Sequence, residues 1–213
     1  MGDIKYSLLG KTYVYDNDDL DLLDGYEPQK GDWKDGAFDD FKKNIKTLYY
    51  NDQNERCAFC RKIINFEGYT EPLEHILYKD RYPQWMFHPK NLVVSCDPCN
   101  GKKSKFNSLV NGCSLNVFPI QPQYFVTLNP HLEDWNHHLK LKKGLFFIAK
   151  TVKGLKTIEV YKLTRSDVIH HHSKFKRINK ESLAKKAAKL AYEVNPNSNN
   201  YMTIMNSIDA IIG

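Results

Sequence analysis

The chain has 213 residues, 41% of them apolar, and a formal net charge of +6. That length allows one medium domain with a core of its own, while the longest apolar run, Leu145 to Ala149, is far short of the ~20 residues a membrane helix needs. The N-terminus lacks a charged-then-apolar leader pattern, so the expectation is a cytoplasmic chain with no membrane contact and with reduced thiols.

The charge is unevenly spread. Residues 1–40 hold eleven Asp and Glu against four Lys, a balance of −7, which leaves +13 on residues 41–213. A basic body suits a polyanion, because Lys and Arg displace counterions from phosphate; solubility alone is the competing explanation.

In chain order, residues 1–15 read as a short strand or hairpin element. Residues 16–40 are rich in Asp and Gly and read as an acidic loop with a helical turn near Leu20–Leu23; the Asp run lacks the Gly and terminal Glu of a calcium loop. Phe38, Phe41, Ile45 and Leu48 step by three and four, predicting an amphipathic helix over 37–50. Tyr124-Phe125-Val126, His138–Ile148 with a Lys143-Gly144 turn, and Thr157–Leu163 are strand candidates. Ser166 to about Glu193 reads as helix, stopped by Asn195-Pro196, and Tyr201–Ile212 as a final apolar-faced helix.

Two Cys-x-x-Cys pairs, Cys57/Cys60 and Cys96/Cys99, lie 35 residues apart. Each pair offers two thiolates from one knuckle, and two knuckles complete a tetrahedral zinc site. With four thiolates no position remains for water, so such a zinc holds the fold and does not catalyse. The alternatives are a redox motif, which needs only one pair, or buried cysteines without metal. Cys113 has no partner at ligand spacing and reads as a small core residue.

Between the pairs, Pro72–Ile76 and Asn91–Val94 read as strands, and Asp97-Pro98 as a helix start with Asp97 as N-cap. Glu74 and Asn100 could supply oxygen ligands to one hard divalent ion, and His75 could take a proton from water near neutral pH. The pattern C-x-x-C…E-H-I…N-L…C-x-x-C-N-x-x-K resembles the HNH endonuclease signature of the ββα-metal superfamily, over about a quarter of the chain. It is carried by Cys57, Cys60, Glu74, His75, Asn91, Leu92, Cys96, Cys99, Asn100 and Lys103.

That resemblance implies an α+β fold: a ββα-metal (HNH) core over 37–110, stapled by a four-cysteine zinc site. An acidic segment 1–36 would precede it, and a β-hairpin and helical extension 111–213 would pack on it. It further implies His75 as general base, Glu74 and Asn100 as ligands of a catalytic Mg²⁺ or Mn²⁺, and Asn91 as the residue steadying loop and base. The implied reaction is hydrolysis of a DNA phosphodiester, leaving 5′-phosphate and 3′-hydroxyl ends. Lys102, Lys103 and Lys105, around the helix carrying Asn100, are expected to hold substrate phosphates. Glu74 stands where the family usually has Asp, and two departures stand out. Ile76-Leu77-Tyr78-Lys79 replaces a loop that often carries a Pro, and the third signature residue is Asn100, a weaker ligand than His for transition metals but well suited to hard Mg²⁺.

More loosely, Glu-His-Ile, Tyr82-Pro83, the C-N-G-K-K end and Asn129-Pro130…Asp134…His138 are similar to the small HNH subunits that accompany ATPases in bacterial anti-phage systems such as Septu and some retrons. That likeness implies an ATPase partner. The competing functions are a zinc-held module that binds nucleic acid without cutting, and an RNA nuclease. The remaining features are read as follows: His170-His171-His172 as a solvated run rather than a metal site, His137-His138 as ambiguous, Trp85-Met86-Phe87 as core or as an aromatic that stacks on a base, and the basic helix Lys174–Lys189 as a wet face or a phosphate contact. The acidic 16–40 stretch is a candidate shield for the basic surface or a docking site for a partner.

Overall fold

A computed structural model describes residues 9–64, 73–111 and 115–174. It is a mixed α+β structure that forms two compact units, residues 1–135 and 136–213.

In the first unit the acidic segment folds locally. α1 (Asn17–Leu23) begins in a capping box: Asp16 accepts from the Asp19 N–H at 2.9 Å and Asp19 accepts from the Asp16 N–H at 3.2 Å, satisfying two donors that a helix start leaves open. The Tyr13 hydroxyl donates to the same Asp19 carboxylate at 2.6 Å. Residues 9–15 form no strand, and the rest of that expected element lies outside the described residues. Two single 3₁₀ turns, Asp32–Lys34 and Gly36–Phe38, lead into α2 (Asp39–Asp52). The expected stripe is there: Phe38, Phe41 and Ile45 are buried, and Tyr49 joins them in place of the half-buried Leu48. Each such side chain contributes roughly 1.5–3 kcal/mol on burial.

β1 (Leu73–His75) pairs antiparallel with β2 (Leu92–Val94), with Glu74 opposite Val93 and His75 opposite Leu92. α3 (Asp97–Lys103) follows. Its N-cap is Cys96, one residue before the expected Asp97. The Cys96 carbonyl already takes the first helical bonds, from Cys99 N at 2.9 Å and Asn100 N at 3.1 Å, so Asp97 is the first helical residue. Gln53, at the end of α2, fastens these parts together. Its Nε2 donates to the Arg56 and Val94 carbonyls, both at 2.7 Å, and its Oε1 accepts from Val94 N at 2.9 Å.

Tyr124-Phe125-Val126 is not a strand. Pro122–Tyr124 is a 3₁₀ turn, and only a single bridge, Leu109 to Phe125, links the segment to its neighbour; Pro122 supplies no donor for a longer ladder. The four-residue α4 (Trp135–His138) lies at the boundary between the units.

In the second unit β3 (Leu139–Lys142) and β4 (Phe146–Ala149) form the expected hairpin. Lys143 (φ 52°) and Gly144 (φ 69°) both take the left-handed conformation that a tight hairpin turn requires. Thr157–Leu163, expected as strand, lies mostly within a helix, α5 (Val152–Tyr161). The Thr151 hydroxyl caps its start by accepting from Gly154 N at 3.1 Å, and Lys162 closes it with φ 47°. Its buried face is Gly154, Thr157, Ile158 and Tyr161, a helical period that overrides the β-branched composition. A Cβ on Gly154 would overlap the His138 carbonyl oxygen, so only glycine fits. α6 (Ser166–Lys174) begins the predicted long helix. The remainder of that helix, the final apolar helix and Cys113 lie outside the described residues. Among the described residues no helix is long and apolar enough to cross a membrane.

Candidate functional site

The four cysteines meet. Cys57, Cys60, Cys96 and Cys99 are buried and unoxidised, and their sulfurs all lie within 4.8 Å of one another. Cys60 and Cys96 Sγ are 3.6 Å apart, close to the ~3.7 Å edge of a tetrahedron with zinc–sulfur bonds of about 2.3 Å. Backbone bonds shape the first knuckle: Cys57 N donates to Lys62 O at 2.9 Å and Arg61 N to Cys57 O at 3.1 Å, while Ala58 N reaches Val94 O at 3.0 Å and so ties the knuckle to β2. Burial pushes the Cys60 and Cys99 thiols up. At Cys57 burial also raises, but hydrogen bonds from the other three cysteines outweigh it and lower the thiol. Four thiols crowded in a dry site favour a cation that ionises them together, and they can hold a zinc ion.

Glu74 and His75 are neighbours on β1, with different surroundings. The Glu74 Oε1 accepts a 2.8 Å hydrogen bond from Lys103 Nζ, whose side chain is wholly buried. Burial raises the Glu74 carboxyl, and Lys103 and then Lys79 act to lower it. His75 is only 4% exposed. Its Nε2 lies 3.1 Å from the Met86 carbonyl oxygen, which as a pure acceptor fixes the proton on Nε2 and leaves Nδ1 as the basic nitrogen. Burial holds the imidazole well below its usual range, helped by the charges of Lys79 and Lys103. The Trp33 ring stands edge-on to it, centroids 4.3 Å apart.

Asn91 is fully buried and pins the loop that follows His75. Its Oδ1 accepts from Leu77 N at 2.7 Å, and its Nδ2 donates to Trp85 O at 2.9 Å and Leu77 O at 3.3 Å. Because Trp85 directly precedes Met86, these bonds also steady the carbonyl that holds His75. Asn100 sits half-buried in the first turn of α3. Lys102 and Lys105 are exposed, as phosphate contacts need to be. Lys103 differs from expectation: its ammonium points inward to Glu74 instead of toward a substrate, because a buried carboxylate left without a cation is the costlier arrangement.

Sequence reasoning missed Trp33 over His75, Lys79 beside both Glu74 and His75, the Met86 carbonyl and the Gln53 clamp. Lys79 was visible four residues past His75; a backbone carbonyl has no sequence signal. Trp85, Met86 and Phe87 are buried, as core residues should be. His170-His171-His172 is not a uniformly solvated run, since His172 is buried with its ring edge-on to Phe147 at 5.3 Å. His138 Nδ1 lies 2.8 Å from the Thr151 hydroxyl. Among the described residues the cysteines are the one group of His, Cys, Asp or Glu spaced to hold a metal.

The chain is similar to proteins called Septu protein PtuB. It is 30% identical over 126 residues to the one from Bacillus thuringiensis, a match covering 59% of this chain and 43% of that one. It is 28% identical over 160 residues to the one from Bacillus mycoides (strain KBAB4), covering 62% of this chain and 50% of that one. The match thus spans about half the length of these curated relatives. No family model matches the chain.

Proposed function

We propose that the chain is a metal-dependent HNH endonuclease that hydrolyses DNA phosphodiester bonds in bacterial anti-phage defence, together with an ATPase partner. The observation carrying this reading is the state of His75. It lies at a strand end beside Glu74, its Nε2 proton is committed to the Met86 carbonyl, and Asn91 braces the loop. An imidazole held in that tautomer presents Nδ1 as a base. The similarity to Septu proteins supports the defence setting and a partner.

In the reaction His75 Nδ1 takes a proton from the attacking water, and Asn91 keeps the ring from turning. Lys102 and Lys105 hold flanking phosphates. Glu74 and Asn100 offer oxygens suited to a hard divalent ion, with Lys103 already holding one Glu74 oxygen. Such an ion, when bound, supplies positive charge to the phosphate and to the leaving 3′-oxygen. The four cysteines keep the hairpin closed around zinc and take no part in the chemistry.

The rival reading is a zinc-held module that binds nucleic acid without cutting it. It is favoured by the burial of His75 beneath Trp33 and by the Glu74–Lys103 pair, which satisfies the carboxylate internally. Conversion of supercoiled plasmid with Mg²⁺ or Mn²⁺, by wild type and by His75→Ala, separates the two. Cleavage lost in the variant supports the nuclease; conversion by neither protein supports the rival, and equal conversion by both discredits His75 as the base. An RNA nuclease is distinguished by substrate comparison alone.

A further inference from the structure

The chain leaving His75 runs into a short strap, Tyr78-Lys79-Asp80-Arg81-Tyr82. Its root is fixed by the two bonds between Asn91 and the Leu77 backbone. The strap itself is a tight turn, with Arg81 N and Tyr82 N both donating to Tyr78 O at 3.0 and 3.1 Å. Its one acid is already engaged: Asp80 Oδ2 accepts from the Tyr78 hydroxyl at 2.9 Å and lies 3.8 Å from Lys30 Nζ.

Among the described residues its two cations are not neutralised. Among the described residues neither Lys79 nor Arg81 has a carboxylate partner. Each is propped on a ring: Lys79 Nζ is 5.7 Å from the Tyr78 centroid, and the Arg81 guanidinium carbon 5.7 Å from that of Tyr82. Tyr82 is in turn stacked on the buried Trp85 at 5.2 Å, with its hydroxyl 3.1 Å from Asn107 Oδ1. A long cationic side chain normally loses much conformational freedom when it grips an anion; props of this kind reduce that loss. Lys79 is close enough for its charge to act on both Glu74 and His75.

We propose that Lys79 and Arg81 form a phosphate-binding subsite that seats a nucleic-acid strand at the His75 centre. The strap thereby supplies the unpaired charge that Lys103, turned in to Glu74, does not. The substrate class rests on the nuclease reading; the subsite itself rests on the strap.

The test is fluorescence anisotropy of fluorescein-labelled single-stranded and duplex DNA with the full-length, zinc-loaded protein, at several salt concentrations and without added Mg²⁺ or Mn²⁺. Lys79→Gln and Arg81→Gln are each expected to weaken binding about three- to tenfold. Each should flatten the dependence of log affinity on log salt by about 0.7 for single strands and about 0.9 for duplex. Lys79→Arg should bind like wild type, which separates lost charge from lost folding. Lys43→Gln, an exposed charge on α2, should change neither quantity. A double Lys79→Gln/Arg81→Gln variant that binds like Lys43→Gln overturns the proposal. Cleavage assays run in parallel keep the two readings apart. Wild type that binds through the strap but never cuts overturns the nuclease and keeps the subsite. Wild type that cuts, with the double variant cutting and binding equally well, does the reverse.

Discussion

The four-cysteine cluster and the Glu74–His75 strand end occupy the same short stretch of chain, and both place chemically active groups where water is scarce. In the cluster the four sulfurs face one another at distances that suit an ion between them. At the strand end the protein supplies the partners itself: Lys103 for the carboxylate, the Met86 carbonyl for the imidazole, and the Trp33 ring as cover. One site can hold a metal ion, and the other is satisfied by protein partners; on the nuclease proposal it would have to be opened or re-paired to work. The contrast separates a cluster suited to an ion from a pair of side chains that the protein satisfies itself.

Breaking the first side of that contrast should have the largest effect. Structural zinc contributes on the order of 10–16 kcal/mol of apparent binding energy in small domains, so chelation or Cys99→Ser should abolish cooperative unfolding of the first unit. Zinc content, measured by metal analysis alongside circular dichroism, should fall from about one per chain in the wild type to well below that. A variant that unfolds as the wild type does would refute the staple.

Breaking the second side costs less. Lys103→Met strands a buried carboxylate, an error worth about 3–5 kcal/mol. Because burial already raises the Glu74 carboxyl, protonation limits the loss to the lower end of that range. Urea unfolding should show it, and Glu74→Gln added to Lys103→Met should recover much of it; a Lys103→Met variant as stable as wild type would show the pair to be unimportant.

Acid should act next. Burial pushes His131 and His88 down to about 4, below the ~6.5 of an unfolded histidine. Between those values the unfolded chain binds more protons than the folded one, so stability is full above about pH 6.5 and falls as pH drops toward 4. At about 1.4 kcal/mol per unit, the nine-tenths-buried His131 accounts for up to about 3 kcal/mol. Urea midpoints that stay flat from pH 7 to 5, with zinc retained, would contradict this.

The mildest change sharpens the comparison. Trp33→Ala removes a half-exposed ring contact worth about 0.5–1.5 kcal/mol beyond its area, yet it uncovers His75. Modification of His75 by diethyl pyrocarbonate should quicken severalfold; an unchanged rate would mean that Trp33 is not the cover.

What could be read in advance followed from how directly a residue type implies its surroundings. Paired Cys-x-x-Cys knuckles, the Phe38–Phe41–Ile45 stripe and the Lys143-Gly144 turn each have few structural solutions, and all three take the expected one. Thr157, Ile158, Val160 and Tyr161 have a strand-like composition, but the caps at Thr151 and Lys162 decide for helix. Asp97 missed by one residue because the Cys96 carbonyl, invisible in a side-chain pattern, starts α3. At the candidate centre the residue types were legible but their partners were not. Lys103 reads as a surface cation until a buried carboxylate is found beside it, and nothing in an acidic loop announces that Trp33 will lie against His75.

The most direct test of the central claim is product analysis on an end-labelled DNA duplex, using zinc-loaded wild type and His75→Ala with added Mg²⁺. The account predicts metal-dependent fragments ending in 5′-phosphate and 3′-hydroxyl from the wild type and none from the variant. Identical fragments from both proteins, or an intact duplex with the wild type under every metal tried, would contradict it.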